Sequence, residues 1–258
     1  MIDLCAARRE FDRYLDLFCR EDEKIKLKMI HTEGVIRCSR EIGERMGLES
    51  EDLELAQLIA LLHDIGRFEQ VRRFDSFEPG VMDHAAYGAE LLFGEQKMIR
   101  KFVKEDTWDE LICQAIVRHS DYELGDSMDP RALLHARLIR DADKLDNCRV
   151  KLEDQMEVLL GCSKEEAGCQ EISPETWREC ENRKSIHSAN RRTRMDYWVS
   201  YVAYFFDINF PATCRIILEK QYVERIIRRI PYGNKETEQK MKKLGEMVTE
   251  WLEEKAEG

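Results

Sequence analysis

Four of the six histidines in this 258-residue chain share one property: His31, His63, His84 and His119 each lie on the apolar stripe of a predicted helix. His31 follows Leu27 by four residues and precedes Val35 by four. His63 follows Ile59 by four, His84 shares a face with Tyr87, Gly88 and Leu91, and His119 follows Ala115 by four and Ile116 by three. Residues three and four apart stack on one side of a helix, so these imidazoles face inward. Two carboxylates do the same. Asp143 follows Ile139 by four, and Asp64 sits beside His63 at the end of the most hydrophobic segment, Leu58-Ile-Ala-Leu-Leu62. A carboxylate buried there is costly unless a cation neutralises it. No Lys or Arg lies within a turn before Asp64, and Arg67, three residues later, is the one salt-bridge candidate nearby in sequence. The other candidate is a divalent transition ion, because imidazole and carboxylate together suit Mn, Fe, Ni, Co or Zn. A buried His-Asp hydrogen-bond network is the competing reading. A lone inward histidine is usually a core residue; four of them with two inward aspartates are harder to explain that way.

The elements that must carry these residues are helices. Apolar positions recur at helical spacing over residues 3–20 and over 22–46, where the stripe runs Leu27, Ile30, Gly34, Val35, Cys38, Ile42, Met46 and Gly47 supplies a stop. Ser50 is a predicted N-cap for a helix over 51–64, apolar nearly all round and ended by Gly66. Residues 67–82 read as a charged loop containing Pro79-Gly80, and Asp83 caps a helix from 84 to about 94. Further helices are predicted over 107–119, 131–147, 196–206, 211–230 and 235–255, and no alternating strand appears. The class is therefore all-α. Composition shifts over 161–195, where Gly161, Gly168 and Ser173-Pro174 interrupt the pattern. We place a helical core at 1–155 and a C-terminal helical extension at 156–258, packed on the core as one structural domain.

Composition narrows the function classes. With 43% hydrophobic and 36% charged residues, and few Gly and Pro, the chain is a folded, helix-rich globule. Its formal charge of −11 is the wrong sign for a duplex nucleic-acid binder. No apolar run is long enough for a membrane helix, and the charged N-terminus lacks a signal-peptide core. Nine cysteines, an odd number without tight pairs, fit a reducing, cytoplasmic setting. Cys162, Cys169, Cys180 and His187 have spacings outside those of zinc knuckles. His135 and the aromatics Tyr197, Trp198, Tyr201, Tyr204, Phe205 and Phe206 read as core.

The ordered set His31 … His63-Asp64 … Asp143 resembles the HD-domain metal-dependent phosphohydrolase superfamily. Leu61-Leu62-His63-Asp64-Ile65-Gly66-Arg67-Phe68 is similar to its central motif, and Asp83-His84-Ala85-Ala86-Tyr87-Gly88-Ala89 to its next helix start. Ile116-Val117-Arg118-His119 and Ala142-Asp143-Lys144-Leu145-Asp146 resemble its last two motifs. The likeness covers about residues 25–150. It implies an HD-domain helical bundle with His31, His63, Asp64 and Asp143 as metal ligands, and with His84 and His119 as ligands of a second ion bridged by Asp64. Asp141 is a rival for Asp143. The implied activity is a phosphatase or phosphodiesterase acting through metal-activated water on a nucleotide or other small phosphoester. Asp64, Arg67 and Lys144 are the catalytic candidates in that reading. Arg67 and Lys144 flank the ligands as phosphate contacts, and Arg191 and Arg192, from the basic stretch 183–194, are further substrate contacts. Two alternatives stay open: a binuclear-iron oxygenase of the same fold, and a metal-bound regulatory domain.

Overall fold

Asp3 opens the first helix, α1 (Leu4–Leu15), by accepting the Ala6 N–H with its side chain. Asp22 does the same at α2 (Glu23–Met46), taking the N–H groups of Lys24 and Ile25. Gly47 ends α2 with φ at +71°, a left-handed stop that glycine adopts without a Cβ penalty. The buried face of α2 runs through Ile25, His31, Gly34, Val35 and Ile42. Ile30, expected on that stripe, is 56% exposed. The structure, a computed structural model, describes residues 2–78, 80–125 and 128–258.

Two sequence expectations fail around the apolar segment, and the failures matter for the site. The third helix, α3 (Ser50–Leu62), begins at Ser50, while Glu49 takes the cap position without a side-chain bond. More importantly, Gly66 is no stop. The chain breaks at His63-Asp64 and immediately starts α4 (Ile65–Phe74), so residues 67–74 are helical where a loop was expected. Their charges disguised an amphipathic helix. Phe68 and Val71 are buried three residues apart. Glu69 pairs with Arg72 and Arg73 at the helical spacings of three and four. Of the expected Pro79-Gly80 turn, Pro79 lies outside the described residues.

Asp83 caps α5 (His84–Phe93) by accepting the Ala86 N–H, and α6 (Asp109–Arg118) and α7 (Pro130–Glu153) follow. The remainder is α8 (Met156–Leu160), α9 (Lys164–Gly168), α10 (Pro174–Glu181), α11 (Arg194–Ala203), α12 (Pro211–Glu219), α13 (Tyr222–Ile227) and α14 (Lys235–Glu257). The helix expected over 211–230 is split at Gln221, which has φ of +52°. The described residues contain no strand, and none of their helices is long and apolar enough to cross a membrane.

The chain divides into two compact units, Met1–Asp146 and Asn147–Gly258. In the first, α2 packs on α3, α4 on α5, and α5 on α6. Phe11, Tyr14, Phe18 and Phe68 meet edge-on or tilted beneath α4. In the second, α14 buries Met241, Leu244, Val248 and Leu252 along one stripe and contacts α11, α12 and α13.

One buried carboxylate organises the second unit. Asp196 is fully buried at the start of α11 and accepts four hydrogen bonds, from the Ser173 N–H and hydroxyl and from the N–H groups of Arg192 and Thr193. Burial opposes its charge, but the Ser173 bonds and the backbone donors outweigh that and lower its pKa. Asp196→Ala would strand these donors, and we expect a loss of about 3–5 kcal/mol in urea unfolding. Because the folded-state pKa is the lower one, the stabilisation is present above the ordinary carboxylate value of about 3.9 and fades as pH falls through the folded value. The wild-type advantage over Asp196→Ala should therefore shrink under acid; an advantage that stays constant to low pH would contradict the assignment.

Candidate metal centre

Two helix ends supply two of the imidazoles, by the same device. His63 caps the C-terminus of α3, and its ring Nδ1 lies 2.8 Å from the carbonyl of Ala60. His119 caps α6, with Nδ1 2.7 Å from the carbonyl of Ile116. The last carbonyls of a helix have no N–H partner of their own. A carbonyl only accepts, so both rings carry their proton on Nδ1 and present the Nε2 lone pair. Nε2 of His63 is buried without a hydrogen-bond partner. A lone pair aimed into the interior in this way could serve as a metal donor.

Asp64 occupies the N-cap position of α4, yet its side chain caps nothing. It turns instead to the imidazoles. Oδ1 lies 3.2 Å from His84 Nε2 and 3.6 Å from His119 Nε2, and those two nitrogens are 3.1 Å apart. Oδ2 lies 3.6 Å from His63 Nε2. The described residues thus form two triads able to hold an ion, His31-His63-Asp64 and Asp64-His84-His119, with Asp64 common to both and all five residues buried. His84 reaches the second triad because it is the first residue of α5, and because α4 and α5 approach closely at Gly66. A Cβ on Gly66 would stand 2.2 Å from the His84 carbonyl oxygen.

His31 enters from α2 with both ring nitrogens engaged. Nε2 lies 2.9 Å from Asp143 Oδ1, and Nδ1 lies 2.8 Å from Asp146 Oδ2. Asp146 comes this close because residue 34 is glycine; a Cβ there would meet Asp146 Oδ1 at 1.9 Å. Two aspartates of α7, Asp143 and Asp146, are thus bonded to His31. Burial and the Lys28 charge disfavour a protonated His31, but its bonds to Asp143 and Asp146 prevail and raise its pKa.

The remaining charges are set by burial and by one lysine. Burial pushes the His63 pKa down to about 4, and also lowers that of His84 against the pull of Asp64. Burial alone would raise the pKa of Asp64, yet the Lys28 ammonium and then the histidines hold it well below the usual carboxylate range. Asp143 is likewise lowered, by its bond to His31. At neutral pH, His63 is neutral and Asp64 ionised, which are the protonation states that metal coordination requires.

The expected substrate contacts are placed as follows. Arg67 has Nε 3.5 Å from Asp64 Oδ1, while one terminal nitrogen, Nη1, donates both to Gln70 Oε1 at 2.8 Å and to the Phe77 carbonyl at 3.1 Å. Lys144 is half-buried beside Asp143 on α7. Arg191 and Arg192 belong to the second unit, where the Arg191 guanidinium lies over the Tyr197 ring, 4.6 Å from its centre, and Arg192 Nε stands 3.9 Å from Glu175. His135 is buried and pairs with Asp52 at 2.9 Å. Cys162, Cys169, Cys180 and His187 are not among the groups able to hold an ion. Sequence reasoning missed Lys28 and Asp146. Lys28 precedes His31 by three, the spacing of one turn, and Asp146 follows Asp143 by three, so both share a helix face with a residue already singled out.

The order of these residues along the chain, and not their geometry alone, decides the family. Residues 29–148 match the model of the HD domain. The chain carries an HD domain. HD domains bind divalent metals and define a superfamily of metal-dependent hydrolases, some members of which are not hydrolases. The matched span takes in both triads, Asp143 and Asp146, and runs from α2 to α7. No curated protein and no solved structure matches the chain. The donor set fits the metal that an HD domain implies: two Nε2 lone pairs fixed by helix-end carbonyls, one of them without a partner, around an ionised carboxylate.

Proposed function

We propose that this HD domain is a phosphohydrolase, a phosphatase or phosphodiesterase, acting on a nucleotide or other small phosphoester. The observation that carries the reading is Asp64, one ionised carboxylate shared by two buried histidine triads inside an HD domain. His31, His63, Asp64 and Asp143 would hold one ion, and His84 and His119 with Asp64 a second. A divalent transition ion bound there, Mn, Fe, Ni, Co or Zn, supplies hydroxide near neutral pH and offsets charge on the phosphoryl oxygens. The chain's own residues prepare for this. The Ala60 and Ile116 carbonyls fix the His63 and His119 tautomers, and Asp146 orients His31. Arg67 and Lys144 are cations close to Asp64 and Asp143, suited to contact non-bridging phosphate oxygens. The acidic total charge supports a small substrate over duplex nucleic acid.

The same two triads sharing one carboxylate favour, as a second reading, a binuclear-iron oxygenase. A panel of phosphomonoesters, phosphodiesters and nucleotides, run on Mn- or Ni-loaded protein without oxygen, separates the two. Turnover supports the hydrolase. No turnover, with a coloured iron form that consumes oxygen, supports the oxygenase.

Arg67→Ala sharpens the test. We expect turnover to fall about tenfold to a hundredfold with metal content preserved, because the arginine touches substrate and not the ion. Loss of metal in Arg67→Ala would instead make the residue a support for Asp64, which its 3.5 Å approach also allows.

A further inference from the structure

Asp64 Oδ2 has a second caller. Lys28 Nζ lies 2.6 Å from this oxygen, the one that also faces His63. An ion held by His31, His63 and Asp64 would therefore compete with the Lys28 ammonium for this carboxylate. Their charges have the same sign, and shared occupancy of so short a contact sets them against each other. Lys28 reaches the centre from α2, one turn before His31. No other carboxylate pairs with it among the described residues. Its ammonium also faces the Phe77 ring, whose centre lies 5.5 Å from Nζ. An aromatic face attracts a cation without neutralising it, so it offers a resting place and leaves the charge available. The lysine stem is long and flexible, and the side chain is 14% exposed, against 5% for Asp64. Lys28 is thus the more exposed partner of the pair.

We propose that Lys28 is a metal-responsive anion-binding residue: a divalent ion takes over Asp64 Oδ2, and the released ammonium binds the anionic group of the substrate beside the Phe77 ring. The inference rests on the metal-centre reading and adds a coupling to it. The centre presents its substrate-binding cation only when the ion is in place, so an anion binds more weakly to protein whose Lys28 is still paired with Asp64. The same pairing makes Lys28 a brake on metal uptake, because an incoming ion must displace it.

The test uses Mn(II) and inorganic phosphate as probes on the full chain, with Lys28→Met to remove the charge at similar bulk and Lys28→Arg to keep it. Calorimetry should show Lys28→Met binding Mn(II) about tenfold more tightly than wild type. The Mn-loaded variant should then bind phosphate at least about tenfold more weakly. Lys28→Arg should stay near wild type in both. A merely structural lysine would weaken metal binding when removed, the opposite sign. Lys28→Gln carries the same expectations should the methionine variant fail to fold. Equal or weaker Mn(II) binding by Lys28→Met, or unchanged phosphate binding, overturns the proposal and leaves the metal centre standing. Wild type that takes up no Mn(II) overturns both.

Discussion

Asp64→Ala is expected to strip the protein of divalent metal and to lower phosphoester turnover by more than about a thousandfold, beyond the roughly 10²–10³ typical of losing one oxyanion donor. The size of the effect follows from the double duty of this side chain. Both triads draw on it, so its removal leaves the second with imidazoles alone and the first with Asp143 as its one proposed carboxylate. Neighbours cannot take its place. Glu69, the next acid along α4, is committed to Arg72 and Arg73. The substitution also strands Lys28, whose one carboxylate partner among the described residues is Asp64. Elemental analysis of purified Asp64→Ala beside wild type reads the first effect, and turnover of a phosphoester substrate the second. An alanine variant that keeps its full metal content would show that the ion sits elsewhere.

Gly66→Ala, which adds a single methyl group beside His63-Asp64, should be nearly as damaging. Its Cβ would stand 2.2 Å from the His84 carbonyl oxygen and 2.9 Å from the Gly88 N. These are backbone atoms of α5, so no rotamer change relieves the clash and the helices must separate. We expect about 3 kcal/mol or more to be lost in chemical denaturation. The movement also carries His84, the first residue of α5, away from Asp64 and His119. The surviving folded protein should therefore lose the His84-His119 contribution to metal binding. A Gly66→Ala protein of wild-type stability and metal content would mean that the close approach of α4 and α5 is not what places His84.

Much of this was legible in the residues, and the gaps have physical causes. Inward histidines are visible because a polar residue on an apolar stripe breaks a 3.6-residue pattern, and His31, His63, His84 and His119 all do so. The all-helical class followed from the same periodicity. What the pattern hid was the break at His63-Asp64. A glycine two residues after a helix usually marks its end, so Gly66 looked like a stop, whereas it is glycine because α5 passes against it. The charged residues of α4 read as loop because Glu69, Arg72 and Arg73 are polar, although their spacing pairs them along a helix. Gln221 split the expected 211–230 helix through a left-handed φ that its side chain gives no reason to expect. Lys28 and Asp146 escaped because a lysine or an aspartate on a charged helix is ordinary until a tertiary partner is known. Nothing local to Lys28 announces a carboxylate 36 residues away in the chain.

The most direct test of the metal centre is anomalous X-ray scattering from crystals of protein loaded with Mn(II) or Zn(II). A peak is expected within about 2.0–2.2 Å of His63 Nε2 and an Asp64 oxygen, with a second peak beside His84 and His119 if both triads fill. A loaded crystal with no peak at either triad, or with its only peak at a distant surface carboxylate, would contradict it.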